Sequence, residues 1–128
     1  PDLLIEINGG FANIKDCSTA LKKFDGVMIG RSAYKHPLKW SNIDDIFYEE
    51  EASSKKASTI ILNLIPYIEN CLIKEGTTWN VCKHLINLVE GVPKAKIWRN
   101  KISTESISKK LSVEKLIKLT LEIKNLGY

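Results

Sequence analysis

Two stretches near the start of the chain are apolar almost without interruption, and beyond about residue 54 the apolar positions recur with helical period instead. Leu3-Leu4-Ile5-Glu6-Ile7 is rich in β-branched residues and stops at Asn8-Gly9-Gly10, the pattern of a buried parallel strand running into a tight turn. Asn13 then stands where a helix cap belongs, ahead of Ile14, Cys17, Leu21 and Phe24 at helical spacing. Gly26-Val27-Met28-Ile29-Gly30 is a second continuous apolar run, so the opening reads as strand, helix, strand, the βαβ unit of a parallel sheet. A strand apolar on both faces needs neighbours, so these residues read as cut from a larger sheet and the chain as a fragment.

Past Arg31 the spacing predicts a loop from Tyr34 through Pro37, continuing as an irregular helix to Tyr48. The acidic cluster Asp44, Asp45, Glu49, Glu50 and Glu51, followed by Ala52-Ser53-Ser54, reads as a boundary. We therefore divide the chain into residues 1–52 and residues 53–128. In the second part Ala57, Ile60, Ile61, Leu64, Ile65, Ile68 and Cys71 form one broad stripe, with Pro66 expected to kink the helix. A further stripe, Val81, Leu85, Leu88 and Val89, ends at Gly91 and Pro93. A short segment from Lys94 to Ile102 carries Trp98, and Ser112 is placed to cap a last helix that turns Leu116, Ile117, Leu121 and Ile123 inward.

At 128 residues, 44% hydrophobic and 27% charged, the composition is that of a folded globular domain, which excludes disordered and collagen-like classes. No apolar run approaches the roughly 20 residues of a membrane span, and the start has neither the basic flank nor the cleavage site of a secretion signal. Cys17, Cys71 and Cys82 are odd in number, far apart and without CxxC spacing, which points to a reducing cytoplasmic compartment, buried thiols and no metal site. Net charge is +4, yet from Gly91 onward nine basic residues face three acidic ones. Such a basic third suits a polyanion partner, or equally a solvated helical face. Arg31 and Arg99 are the two arginines among 19 basic residues, and Arg is the residue suited to forked phosphate contacts.

Asn8-Gly9-Gly10 and Gly30-Arg31 fall at the carboxyl ends of two expected parallel strands joined by one crossover helix. Ligands of α/β proteins bind there, because backbone N–H groups converge at that edge. Glycines admit a phosphate close to the backbone, and a neighbouring Arg adds charge-assisted bonds. Either motif alone is better explained by chain turning and a local ion pair. The two together, in adjacent βα loops, describe a phosphate cradle.

Ile5-Glu6-Ile7-Asn8-Gly9-Gly10, then Asp25 to Tyr34 and Pro37, resemble the end of the flavin-binding barrel of the tRNA-dihydrouridine synthases. The A-type subfamily, which acts at tRNA positions 20 and 20a, fits best. Leu64-Ile65-Pro66-Tyr67-Ile68-Glu69 resembles a segment of its helical domain, and Lys83-His84-Leu85 and Gly91 to Arg99 resemble that domain's basic recognition segment. The resemblance implies an oxidoreductase that uses FMN, with NADPH as reductant, to reduce the C5–C6 bond of D-loop uridine. It implies that Asn8, Gly9, Gly10, Gly30 and Arg31 hold the FMN phosphate and that Lys96 and Arg99, with Lys83 and His84 nearby, meet the tRNA. A solvated helix edge is the competing reading of Lys96 and Arg99.

The sequence also departs from that pattern. The family's catalytic cysteine, beside a proline in an Asn-rich barrel loop, has no counterpart here, and the residues for the isoalloxazine ring are absent, so both are expected upstream. Lys94 stands where the family usually has Gly, Lys96 where it has Arg, and Asn100 in place of a second Arg. His36 reads as a loop-packing residue near the phosphate site. Trp40, Trp79 and Trp98 could stack on bases but read better as core.

The fold expected is α/β plus all-α: the last two βα units of a TIM (β/α)₈ barrel, which needs about 250 residues to close, followed by three to five helices that bind RNA. The function expected is that of a monomeric FMN-dependent tRNA-dihydrouridine synthase of which this chain is an inactive part. The alternatives are another flavin- or phosphate-binding barrel enzyme and a non-enzymatic RNA-binding or interaction module.

Overall fold

The computed structural model describes residues 3–49, 55–91 and 93–128, and divides the chain into one unit over Pro1–Ser54 and a second over Lys55–Tyr128. The boundary expected at residues 52 and 53 lies outside the described residues, as do Glu50 and Glu51.

In the first unit, strands β1 (Glu6–Asn8) and β2 (Gly26–Met28) pair in parallel, with Glu6 opposite Gly26 and Asn8 opposite Met28. Helix α1 (Ile14–Ala20) makes the crossover. Its cap is the one the sequence suggests: Asn13 Oδ1 accepts from the Asp16 amide at 2.9 Å. Asp25 fixes the strand entry, accepting from the Ile5 amide at 2.9 Å while its own amide donates to the Ile5 carbonyl at 3.0 Å. A Cβ at Gly26 would lie 2.7 Å from Glu6 Cγ, so a larger residue there would make the exposed Glu6 side chain move aside. The strands are shorter than expected. Leu3 and Leu4 precede β1 and are 80% and 84% exposed, because among the described residues no third strand covers them. Leu21 and Phe24 fall beyond the end of α1, and Leu21 is exposed.

The loop expected from Tyr34 to Pro37 is corrected. Helix α2 (Arg31–Lys35) starts directly after Gly30, two residues past the end of β2, so Tyr34 is helical. A 3₁₀ turn from Pro37 to Trp40 and helix α3 (Ile43–Tyr48) follow. Pro37 ends α2 because it supplies no N–H to continue it. Cys17 and Trp40 are buried.

The second unit is all helical. The stripe read as one kinked helix is two, α4 (Ala57–Asn63) and α5 (Ile65–Glu75), with the break at Leu64 and Pro66 in the first turn of α5, where its missing N–H leaves no bond unmade. Helix α6 (Trp79–Leu85) runs into a 3₁₀ turn (Ile86–Val89), followed by α7 (Ala95–Ile107) and α8 (Val113–Asn125). Helices α4 and α5 pack on α8, and α6 packs on α7. Ile61, Ile68, Val89, Ile102 and Leu116 are the fully buried aliphatic centre. Ser112 caps α8, accepting from the Lys115 amide at 3.2 Å. Leu119 and Thr120 point inward on α8 where Leu121 was expected; Leu121 is 42% exposed. Thr120 tolerates burial because its hydroxyl donates to the Leu116 carbonyl at 2.8 Å.

Candidate functional site

The parallel pairing sets the first site. Asn8 and Met28 are partners at the carboxyl ends of β1 and β2, so the loops that follow leave the sheet about 5 Å apart. One phosphate group, with hydrogen bonds of about 2.8 Å on either side, can bridge that span. Gly10 takes φ +64°, a left-handed turn that a side chain disfavours. Gly30 is the N-cap of α2 and makes no side-chain cap bond. Its carbonyl accepts from the Ala33 and Tyr34 amides at 3.1 and 3.4 Å, which leaves the Arg31 and Ser32 amides without an intrahelical acceptor.

Asn8, Gly9, Gly10, Gly30 and Arg31 are all exposed. Neither residues 8–12 nor residues 29–35 contain a carboxylate, so this edge offers amide and guanidinium donors that fit an anion such as a phosphate ester. Two contributors escaped the sequence reading. The Ser32 amide joins the donors, and Lys35 lies four residues after Arg31 on α2, a spacing that adds a second cation to the same face.

The residues expected to meet RNA belong to the second unit. Lys83 and His84 lie in the last turn of α6, and Lys96 and Arg99 in the first half of α7, the helix on which α6 packs. Lys96 and His84 are exposed, and Lys83 and Arg99 are half-buried. The step of three residues from Lys96 to Arg99 turns the helix by about 300°, which keeps both on one flank.

Cys17, Cys71 and Cys82 are free and buried. Burial, reinforced by the Asp16 charge, pushes the Cys17 thiol up, and burial does the same for Cys82 against the opposing hydrogen bonds to Ser106 and Thr78. Trp40 and Trp98 are buried, Trp79 is half-buried, and the Trp98 indole N–H donates to the Leu119 carbonyl at 2.9 Å, so Trp98 is a core anchor. Among the described residues no His, Cys, Asp and Glu side chains gather as a metal site, and no helix is long and apolar enough to cross a membrane.

The proteins named tRNA-dihydrouridine(20/20a) synthase of Vibrio parahaemolyticus and Pseudomonas aeruginosa are 37% and 35% identical over 101 and 105 residues, or 79% and 82% of this chain. That of Shewanella oneidensis is 31% identical over 122 residues, or 95% of the chain. The chain spans about a third of the length of these curated relatives, 31% to 36%. The family model described as dihydrouridine synthase (Dus) matches residues 1–124, and the chain belongs to that family.

Proposed function

We propose that this chain forms the phosphate grip and the tRNA-docking helices of an FMN-dependent tRNA-dihydrouridine synthase of the 20/20a type, its first unit completing a TIM barrel as the last two βα units. The observation that carries the reading is the pair of adjacent parallel strand ends, each followed by glycine, with Arg31 and the uncapped start of α2 beside them. Asn8, Gly9, Gly10, Gly30 and Arg31 hold the FMN phosphate, and the Ser32 amide assists. The flavin, reduced by NADPH, supplies the hydride for the C5–C6 bond of D-loop uridine. The chain's own residues bind and orient: the first unit fixes the cofactor's phosphate, and Lys83, His84, Lys96 and Arg99 fix the tRNA backbone.

The catalytic acid and the ring pocket lie in the rest of the synthase, so the chain alone does not catalyse the reduction. The whole enzyme acts as a cytoplasmic monomer without metal. Flavin discrimination in the full-length protein tests the grip. Arg31→Ala is expected to weaken FMN binding by about tenfold or more, the loss of a charge-assisted bond, while riboflavin binding stays unchanged. Equal effects on both flavins would remove Arg31 from the phosphate site. For the RNA surface, Lys96→Ala and Arg99→Ala should each flatten the salt dependence of tRNA binding by about one unit.

A further inference from the structure

A second surface of α7 is chemically distinct from the flank just described. Between α7 and the end of α8 lies a pocket of about 390 Å³, within the range of roughly 300–1,000 Å³ typical of small-ligand sites. Its floor is apolar: Ile97 and Leu126, 58% and 43% exposed, line it together with Ile123 and Trp98. Lys94, the residue just before α7, and Lys101 on α7 line it, and Glu122 lines it from α8. Lys94, Ile97 and Lys101 are spaced three and four apart, so they share one flank of α7. At about 100° per residue, Lys96 and Arg99 lie across the core-facing stripe on the other flank. Neither lysine forms an ion pair among the described residues, whereas Lys115, also between these helices, pairs with Glu105 at 2.9 Å.

Lys94 carries a further mark. It takes φ +63°, ψ 3°, the angles of the third residue of a type II turn, where Gly is favoured. Strain at a lysine on the rim of a pocket that it helps to line points to use of its side chain.

The pocket's chemistry selects the occupant. Two unpaired cations suit phosphate, and an apolar slot suits the face of a base. From Lys94 to Lys101 is about 10 Å along the helix axis, a span for one nucleotide rather than for a docked helix of three or four turns. We propose that this pocket takes one unstacked nucleotide of the bound tRNA. The base lies against Ile97, Ile123 and Leu126, the flanking phosphates meet Lys94 and Lys101, and Glu122 accepts from the base edge. A carboxylate only accepts, so guanine, with two adjacent N–H donors, is preferred over uracil, whose single N–H sits between two carbonyl oxygens. This inference rests on the tRNA-binding reading above and adds to it a site that reads a base.

The test uses the full chain, a tRNA transcript, and the 5′-monophosphates of guanosine and uridine. Leu126→Glu places a carboxylate where the base would lie and is expected to weaken tRNA binding about tenfold or more. Lys101→Gln should weaken it severalfold and lower the salt slope by about one. Glu122→Gln should narrow the preference for the guanosine over the uridine nucleotide, followed by ligand-observed NMR, and ultraviolet crosslinking should join RNA to the peptides carrying Ile97 or Leu126. If Leu126→Glu fails to fold by circular dichroism, the exposed Lys101 and the crosslink decide.

Normal tRNA binding by Leu126→Glu and Lys101→Gln, while Lys96→Ala and Arg99→Ala still weaken it, would overturn the pocket and leave the docking surface standing. Displacement from the pocket by an acidic peptide but by neither nucleotide would overturn it in favour of a protein partner. No tRNA binding by the unaltered chain would overturn both readings.

Discussion

Replacing Lys94 by glycine should make the protein more stable and a poorer RNA binder at once. The left-handed conformation at φ +63° costs a residue with a Cβ about 1–2 kcal/mol, and glycine's greater freedom in the unfolded chain returns about 0.5–1 kcal/mol of that. The net gain is about 0.5–1 kcal/mol. For a unit the size of residues 55–128, that raises the melting temperature by about 4 °C, read from helical ellipticity on heating. The same variant removes one cation from the pocket, so the salt slope of tRNA binding should fall by about one unit. Lys94→Ala keeps the Cβ and removes the charge, so it should lose binding without the rise in melting temperature. Lys109→Gly is the matched control. Lys109 is also left-handed, φ 56°, but it follows the end of α7, a place where helices commonly terminate that way, and it is no part of the pocket. It should gain stability and leave the pocket contacts untouched. A Lys94→Gly protein that melts at or below the unaltered temperature would refute the strain argument, and one that binds tRNA with an unchanged slope would refute the use of the side chain.

Two further outcomes follow from the buried thiols and the capped start of α8. All three cysteines should react with a thiol reagent in denaturant, and Cys82, fully buried, only slowly in the native chain at pH 8. Because burial raises the Cys82 thiol above its ordinary 9.0, the native state keeps a proton that the unfolded chain releases; stability should hold below pH 9 and fall as pH rises beyond it, less so in Cys82→Ala. At the other end of the scale, hydrogen bonds from its own amide and from the Ser112 hydroxyl hold the Glu114 carboxyl below its ordinary 4.5. Its contribution is present above pH 4.5 and is lost as pH falls through the lower native value, so Ser112→Ala should cost about 1 kcal/mol of cap at neutral pH and flatten the acid limb of the stability profile. An acid limb of unchanged steepness would separate Glu114 from the cap.

What was legible in the sequence was local chemistry. Asn13 and Ser112 announce their caps because a short polar side chain ahead of an apolar periodicity has few other uses, and Pro66 announces a break because it cannot donate. The βαβ order followed from two continuous apolar runs some twenty residues apart. The start of α2 was hidden because five residues carry no periodicity to read, and the length of α7 because Ser103, Thr104 and Ser106 look like a loop until packing buries Ile102 and Ser106. Leu121 and Thr120 exchanged places for a reason that propensity does not see: a hydroxyl bonded to its own helix can be buried, while a leucine on the outer face of α8 stays exposed. At the sites, the edge proposed to hold phosphate could be singled out in the sequence because its residues are consecutive in two loops. The basic residues of α6 and α7 took a family resemblance to single out, and the pocket exists only once α8 folds back along α7.

The charge excess of the last third acquires meaning from one buried bond. Lys94, Lys96, Arg99 and Lys101 fall within two turns of α7, and no acidic residue intervenes before Glu105. Rotating that helix by one residue, about 100°, would carry the Lys94 flank toward the core and point neither pair where it now stands. The rotation is fixed by the stripe of Ala95, Trp98, Ile102 and Ser106, and within it by the Trp98 indole bonded to the Leu119 carbonyl at 2.9 Å. Trp98→Phe keeps an aromatic ring but removes that bond and leaves a smaller side chain in a buried site, a cost of about 1–3 kcal/mol. Substitutions on one flank should impair only that flank's RNA contacts. Loosening the anchor they share should instead impair both at once, with crosslinks at the pocket and protection of Lys96 and Arg99 by tRNA falling together. If pocket crosslinks vanish while the other flank binds as before, the two surfaces are not held by a common anchor, and α8 rather than Trp98 sets the pocket.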